Sequence, residues 1–87
     1  MAVQPAPQLD LDLEAARREQ ILTAAGKAFA RKGDHATTIR DIASEADLAP
    51  GTLYLYFENK RDLLLGFFDW ALQIAEARFQ SLSALRD

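Results

Sequence analysis

Cysteine is absent from the 87 residues, so no disulfide or thiolate-bound metal can staple the fold. Histidine occurs once, as His35 in the stretch Asp34-His35-Ala36, and a metal site needs partners that this residue lacks. There is no glycine-rich phosphate loop and no helix with paired ligand spacing. Nothing is present to organise catalysis, and the sequence implies no enzyme, no catalytic residue, no metal and no cofactor. The N-terminus lacks the basic-then-apolar pattern of a secretion signal, and no apolar run approaches the ~18 residues that span a bilayer. A cytoplasmic chain with no membrane partner is the resulting expectation.

An excess of positive charge is missing too. The net charge is −3, whereas a basic surface is the usual footprint of a protein that binds nucleic acid. The total hides a division. Asp10 and Asp12 make residues 1–13 acidic, while residues 14–62 hold eight basic and eight acidic side chains and are neutral. Attraction to a polyanion must come from placement, with Arg40, Lys60 and Arg61 set against Glu45, Asp47 and Glu58.

What the chain does have is helical periodicity. It is long enough for one domain, which buries only roughly 60–65% of its unfolded surface and is marginally stable. Apolar residues at 49% and charged residues at 26% suit an ordinary globular chain. Residues 1–13, with Pro5 and Pro7 and no helical period, predict a disordered arm, and two carboxylates without a Lys or Arg do not suit it to a minor groove. The first helix is predicted over residues 14–32. Ile21, Leu22, Ala25, Ala28 and Phe29 form its apolar stripe, and Arg31-Lys32-Gly33 supplies its stop. Its basic residues, Arg17, Arg18, Lys27, Arg31 and Lys32, read first as a solvated, dipole-compensating face, with phosphate contact as the alternative.

Residues 37–57 organise the rest. Thr38 with Asp41 three residues later is a capping pair that starts a helix at about Thr37 or Thr38. Ile39, Ile42, Ala43 and Ala46 then share one face. Pro50 turns Ala49 away from helix yet suits a first helical turn, so a second helix restarts there and is predicted to run to Phe57, with Leu53, Tyr56 and Phe57 inward. Two short helices about a tight turn spell a helix-turn-helix. A last helix follows from the cap Asn59 and Asp62. Its apolar residues spread around most of its girth, which predicts cover on more than one side: the preceding helices can cover Leu63 to about Trp70, but nothing remains for Ile74, Phe79, Leu82 and Leu85.

T-T-x-x-x-I-A-x-x-A at 37–46, L-A-P-G-T-L-Y-x-Y-F at 48–57 and N-K-x-x-L at 59–63 closely resemble the DNA-binding domain of the tetracycline-repressor (TetR) family. The similarity runs from about Arg17 to about Phe68, with Asp47 where the family usually has Gly in the turn. Asp tolerates the left-handed conformation that such a turn requires. The resemblance implies an all-α, homeodomain-like three-helix domain over residues 14–68. Residues 69–87 would then be the remainder of a long fourth helix leading into an absent C-terminal domain that binds a small-molecule inducer and dimerises. It also implies a ligand-responsive repressor acting on double-stranded DNA, as a homodimer on a palindromic operator.

In such a domain the helix from Pro50 enters the major groove. The residues it offers, Pro50, Gly51, Thr52, Tyr54 and Leu55, include no Arg, Lys, Asn or Gln, so readout leans on apolar contact: Pro50 and the Thr52 methyl toward thymine methyls, with Gly51 permitting close approach. Arg40 is the residue able to grip a guanine bidentately, and it matches a base-contacting arginine of the family. Its competing use is an ion pair with Glu45 or Asp41. Thr38, Tyr54 and Lys60 match phosphate-holding positions, and Tyr56 is a further contact. The rival to DNA binding is a helix-turn-helix used for protein–protein interaction, which the neutral, aromatic surface of Tyr54, Leu55 and Tyr56 would suit.

Overall fold

Four α-helices make up the structure, a computed structural model that describes the backbone of residues 6–86 and the side chains of residues 12–83. They are α1 (Ala6–Lys32), α2 (Ile39–Ala46), α3 (Pro50–Leu53) and α4 (Lys60–Arg86), and no strand occurs among the described residues. The first helix starts at Ala6, not Glu14, so the predicted arm is corrected over residues 6–13, while residues 1–5 lie outside the described residues. Pro7 falls in the first helical turn, where a missing N–H breaks no intrahelical bond. Leu13 stays 64% exposed.

Gly33 ends α1 at φ 83°, donating its N–H to the Phe29 carbonyl at 2.7 Å. Thr37 follows as the buried polar residue of the core, and its hydroxyl donates to the Gly33 carbonyl at 2.6 Å. That bond satisfies a group that would otherwise be costly to bury. The core itself joins Ile21, Leu22, Ala24, Ala25 and Ala28 of α1 to Ile42, Ala43 and Ala46 of α2, Leu53 of α3, Phe57, and Leu63 of α4. Small alanines on both helices let α1 and α2 pack closely.

Asp47 makes the turn, in the left-handed region at φ 61° and ψ 44°. Its N–H and that of Leu48 bond back to Ser44 and Ala43 carbonyls at 3.1 and 2.9 Å, and Gln20 of α1 donates Nε2 to the Ala46 carbonyl at 2.8 Å. The exposed carbonyl end of α2 is thus closed from two sides. The next helix stops at Leu53, well short of the predicted Phe57. Beyond it the chain turns with mixed winding: Leu55 and Tyr56 bond to carbonyls three residues back, Thr52 and Leu53, at 3.1 and 3.0 Å, while the Phe57 N–H reaches the Leu53 carbonyl four residues back at 2.9 Å.

At the start of α4, Asn59 Oδ1 accepts from the Asp62 N–H at 2.8 Å and Asp62 Oδ2 accepts from the Glu58 N–H at 2.9 Å. Two glycines set its approach to α1. A Cβ on Gly66 would meet the Phe57 ring at 3.0 Å, and one on Gly26 would meet Phe67 at 3.0 Å. Phe67 stands edge-on to Phe29, and the Arg18 guanidinium lies over the Phe57 ring at 4.8 Å. Cover of the first half of α4 reaches one side only: Leu63 is buried and Phe67 and Trp70 pack on the core, but Leu65 and Phe68 remain largely exposed. From Leu72 to Ser83 every side chain is exposed.

Candidate nucleic-acid interface

Thr38 sits at the N-cap of α2 with extended backbone, its Oγ1 accepting from the Asp41 N–H at 3.1 Å while Asp41 Oδ2 accepts from the Thr38 N–H at 2.9 Å. A hydroxyl that accepts in a cap still carries a proton to donate. The Thr38 backbone bond, reinforced by the Lys32 ammonium at 3.0 Å, holds the Asp41 carboxyl down from 3.8 to about 2. A lowered folded-state value means that the ionised cap stabilises the domain above the unfolded value of 3.8 and that this contribution is lost as pH falls toward about 2. Thermal melts between about pH 5 and about pH 2 should therefore fall less steeply with acid in Asp41→Asn than in the parent. Equal acid dependence in both would remove Asp41 from this role.

Ion pairs decide what Arg40 is free to do. Asp41 is taken by Lys32, and Glu45 by Arg31 at 2.7 Å, so both carboxylates that stood as partners for Arg40 are bound to the last turn of α1. Arg40 is exposed and has no ion-pair partner among the described residues. The same pairs join the last turn of α1 to α2.

Across the Asp47 turn, Pro50 takes the first position of α3 and is half-buried, and Gly51 is exposed with open space where a Cβ would be. Thr52 is half-buried, whereas Tyr54 is 55% and Leu55 81% exposed. Tyr56 differs from the other predicted contacts, since it is half-buried and packs on the core. At the start of α4, Lys60 donates Nζ to the His35 carbonyl at 3.3 Å, which brings it to the loop before Thr38. An ammonium has two further donors, so this bond leaves Lys60 able to hold an anion.

Sequence reasoning missed Gln20, which fixes the end of α2 and hence the direction of the turn into α3. Its partner lies 26 residues away, and no local pattern marks such a bond. The described residues contain no cluster of His, Asp or Glu suited to a metal ion, and no helix long and apolar enough to cross a membrane.

Residues 21–66 match the family model described as bacterial regulatory proteins, tetR family. The fatty acid metabolism regulator protein of Bacillus subtilis is 45% identical over 49 residues, which are 56% of this chain and 25% of that protein. The HTH-type transcriptional repressor KstR2 of Mycobacterium tuberculosis is 45% identical over 58 residues, 62% of this chain and 29% of its own length. Among solved structures, the fatty acid degradation regulator FadR from Bacillus halodurans superposes with a TM-score of 0.70 at 35% identity, over 76% of this chain and 35% of that one. The transcriptional regulator FadR from Bacillus subtilis, in complex with stearoyl-CoA, does so with a TM-score of 0.66 at 36% identity, over 72% and 34%. This chain spans about a fifth to a third of the length of the curated relatives it matches, 25% and 29% for these two.

Proposed function

The chain belongs to the tetR family of bacterial regulatory proteins, and from that premise we propose that its helix-turn-helix face is the DNA-reading part of a ligand-responsive transcriptional repressor. In this reading the segment from Pro50 lies in the major groove, with Pro50, Gly51 and the Thr52 methyl toward base edges. Arg40 grips a guanine, and Thr38, Tyr54 and Lys60 hold phosphates. Tyr56 contributes through its hydroxyl, its ring being part of the core packing. The observation that supports this most is the allocation of charge: α1 neutralises Asp41 and Glu45 and leaves Arg40 uncommitted in a head of zero net charge.

A neutral head makes few phosphate contacts, so one copy binds DNA with a dissociation constant on the order of 1–100 μM. Specific regulation then requires two heads held in register, which raises the effective concentration of the second to about millimolar. We therefore assign the full-length regulator a homodimeric state and a palindromic operator. Dimerisation and the binding of a small-molecule inducer would lie in a counterpart of the relatives' remaining length, and the Bacillus subtilis relative is in complex with a small molecule, stearoyl-CoA. The site of action is the cytoplasm, where the DNA is.

Salt separates this function from a protein–protein role for the same exposed surface. Binding of the 87-residue chain to random-sequence duplex DNA, followed by anisotropy, should weaken steeply between about 50 and 200 mM salt through counterion release. Absence of binding at low salt by the folded chain would instead favour a protein partner for Tyr54 and Leu55.

A further inference from the structure

The two long faces of α4 are used differently. Leu63 is buried, Phe67 and Trp70 pack on the core, and a Cβ on Gly66 would meet the Phe57 ring, so these positions share the face that holds the head. The opposite face carries Leu65, Phe68, Leu72, Ala75, Phe79 and Leu82, all exposed. Their spacing alternates between three and four residues without a break, which is the pattern of the buried seam in a two-stranded coiled coil. The five large side chains of this seam are between 56% and 69% exposed. Ile74, the other large apolar side chain exposed on α4 among the described residues, falls on the side of the head.

Length, area and charge identify what covers this seam. From Leu65 to Leu82 it runs about 26 Å at 1.5 Å per residue. Within these 87 residues, five precede the described backbone and one follows it, and five extended residues reach only about 17 Å. At roughly 200 Å² per large side chain, the exposed seam offers about 600 Å² per copy. Twofold pairing would thus bury about 1,200 Å², the lower bound for a specific interface. The flanking charges then select the direction. With the helices antiparallel and the seam fully overlapped, Asp69 of each copy lies opposite Glu76 of the other. With the helices parallel, Ala71 lies opposite Glu76 and Arg78 opposite Ser83, so no like charges meet.

We infer that this chain pairs with a second copy of itself along the outer face of α4, as a parallel two-stranded coil in which each seam residue meets its own counterpart. The heads sit on the outward faces of the two helices and stand at the same end of the pair. Specific reading of DNA needs two heads held in register, and this contact links two heads through α4 alone. The pairing itself does not depend on the DNA-binding reading, and its test contains no DNA.

Sedimentation equilibrium of the 87-residue chain from about 1 μM to about 1 mM should show the apparent mass rising from one copy to two and no further. Leu72→Glu and Phe79→Glu should each raise the concentration of half-dimerisation at least about tenfold, because a symmetric interface loses the side chain on both sides. Both residues lie outside the core, and melting curves check that the heads remain folded. Leu13→Glu, at an exposed leucine of α1, should leave the midpoint unchanged. Direction is read from Leu82→Cys in a chain that has no other cysteine. Parallel pairing brings the two substituted positions together, so oxidation should cross-link the copies, whereas antiparallel pairing separates them by about 26 Å. A chain still monomeric at about 1 mM, growth past two copies, or equal weakening by Leu13→Glu would overturn the inference. A retained dimer of Leu82→Cys that does not cross-link would overturn the parallel arrangement.

Discussion

Leu53→Ala should cost about 2–5 kcal/mol of folding stability, the range for removing a fully buried leucine, in a domain whose whole stability is on the order of 4–13 kcal/mol at this length. Leu53 has no exposed surface and is the one side chain of α3 in the core cluster. Its truncation leaves a cavity in the core and also removes what ties a four-residue helix to the head. Such a helix is far too short to persist unaided. Urea unfolding followed by circular dichroism should show a midpoint far below that of the parent, with DNA binding lost in parallel. A loss under about 1 kcal/mol would mean that α3 is held mainly by the turn at Asp47 and not by its buried leucine.

Arg40→Ala should behave in the opposite way. The side chain is exposed and unpaired among the described residues, so stability should change by no more than about 0.5 kcal/mol. Binding to the preferred site should fall by about 1–3 kcal/mol, roughly 5- to 150-fold, with preference relaxed at a single base pair. Sequencing duplexes retained from a randomised pool by immobilised parent and variant would show this as one position losing its guanine. Retention of the parental preference at every position would remove Arg40 from base readout.

These two residues also mark how far the sequence reaches. The capping pair Thr38 and Asp41, the stop at Gly33, the left-handed turn at Asp47 and the burial of Ile42, Ala46, Leu53 and Phe57 all follow from local chemistry, and all are legible without coordinates. The allocation of Arg40 was not. Its neighbours Asp41 and Glu45 offered plausible partners, and only the packing of α1 on α2 shows that Lys32 and Arg31 occupy them instead. Gln20 was hidden for the same reason, since its acceptor is brought near by tertiary structure.

Two errors have different physics. Pro7 reads as a breaker, but in a first turn it breaks nothing, so α1 extends to Ala6. The short α3 reflects a competition that residue patterns do not resolve. Leu53, Tyr56 and Phe57 suit either α-helical or tighter winding, and the segment mixes the two, with Leu55 and Tyr56 bonding three residues back and Phe57 four. Tyr56 consequently packs against the core.

The measurement that bears most directly on DNA reading by this face is a chemical-shift titration of the 87-residue chain with random-sequence duplex DNA at low salt. The expected result is perturbation concentrated at Thr38, Arg40, Thr52, Tyr54 and Lys60, vanishing as salt is raised, with Phe79 and Leu82 on the exposed half of α4 unmoved. Perturbation confined to α4, or insensitivity to salt at the helix-turn-helix, would contradict it.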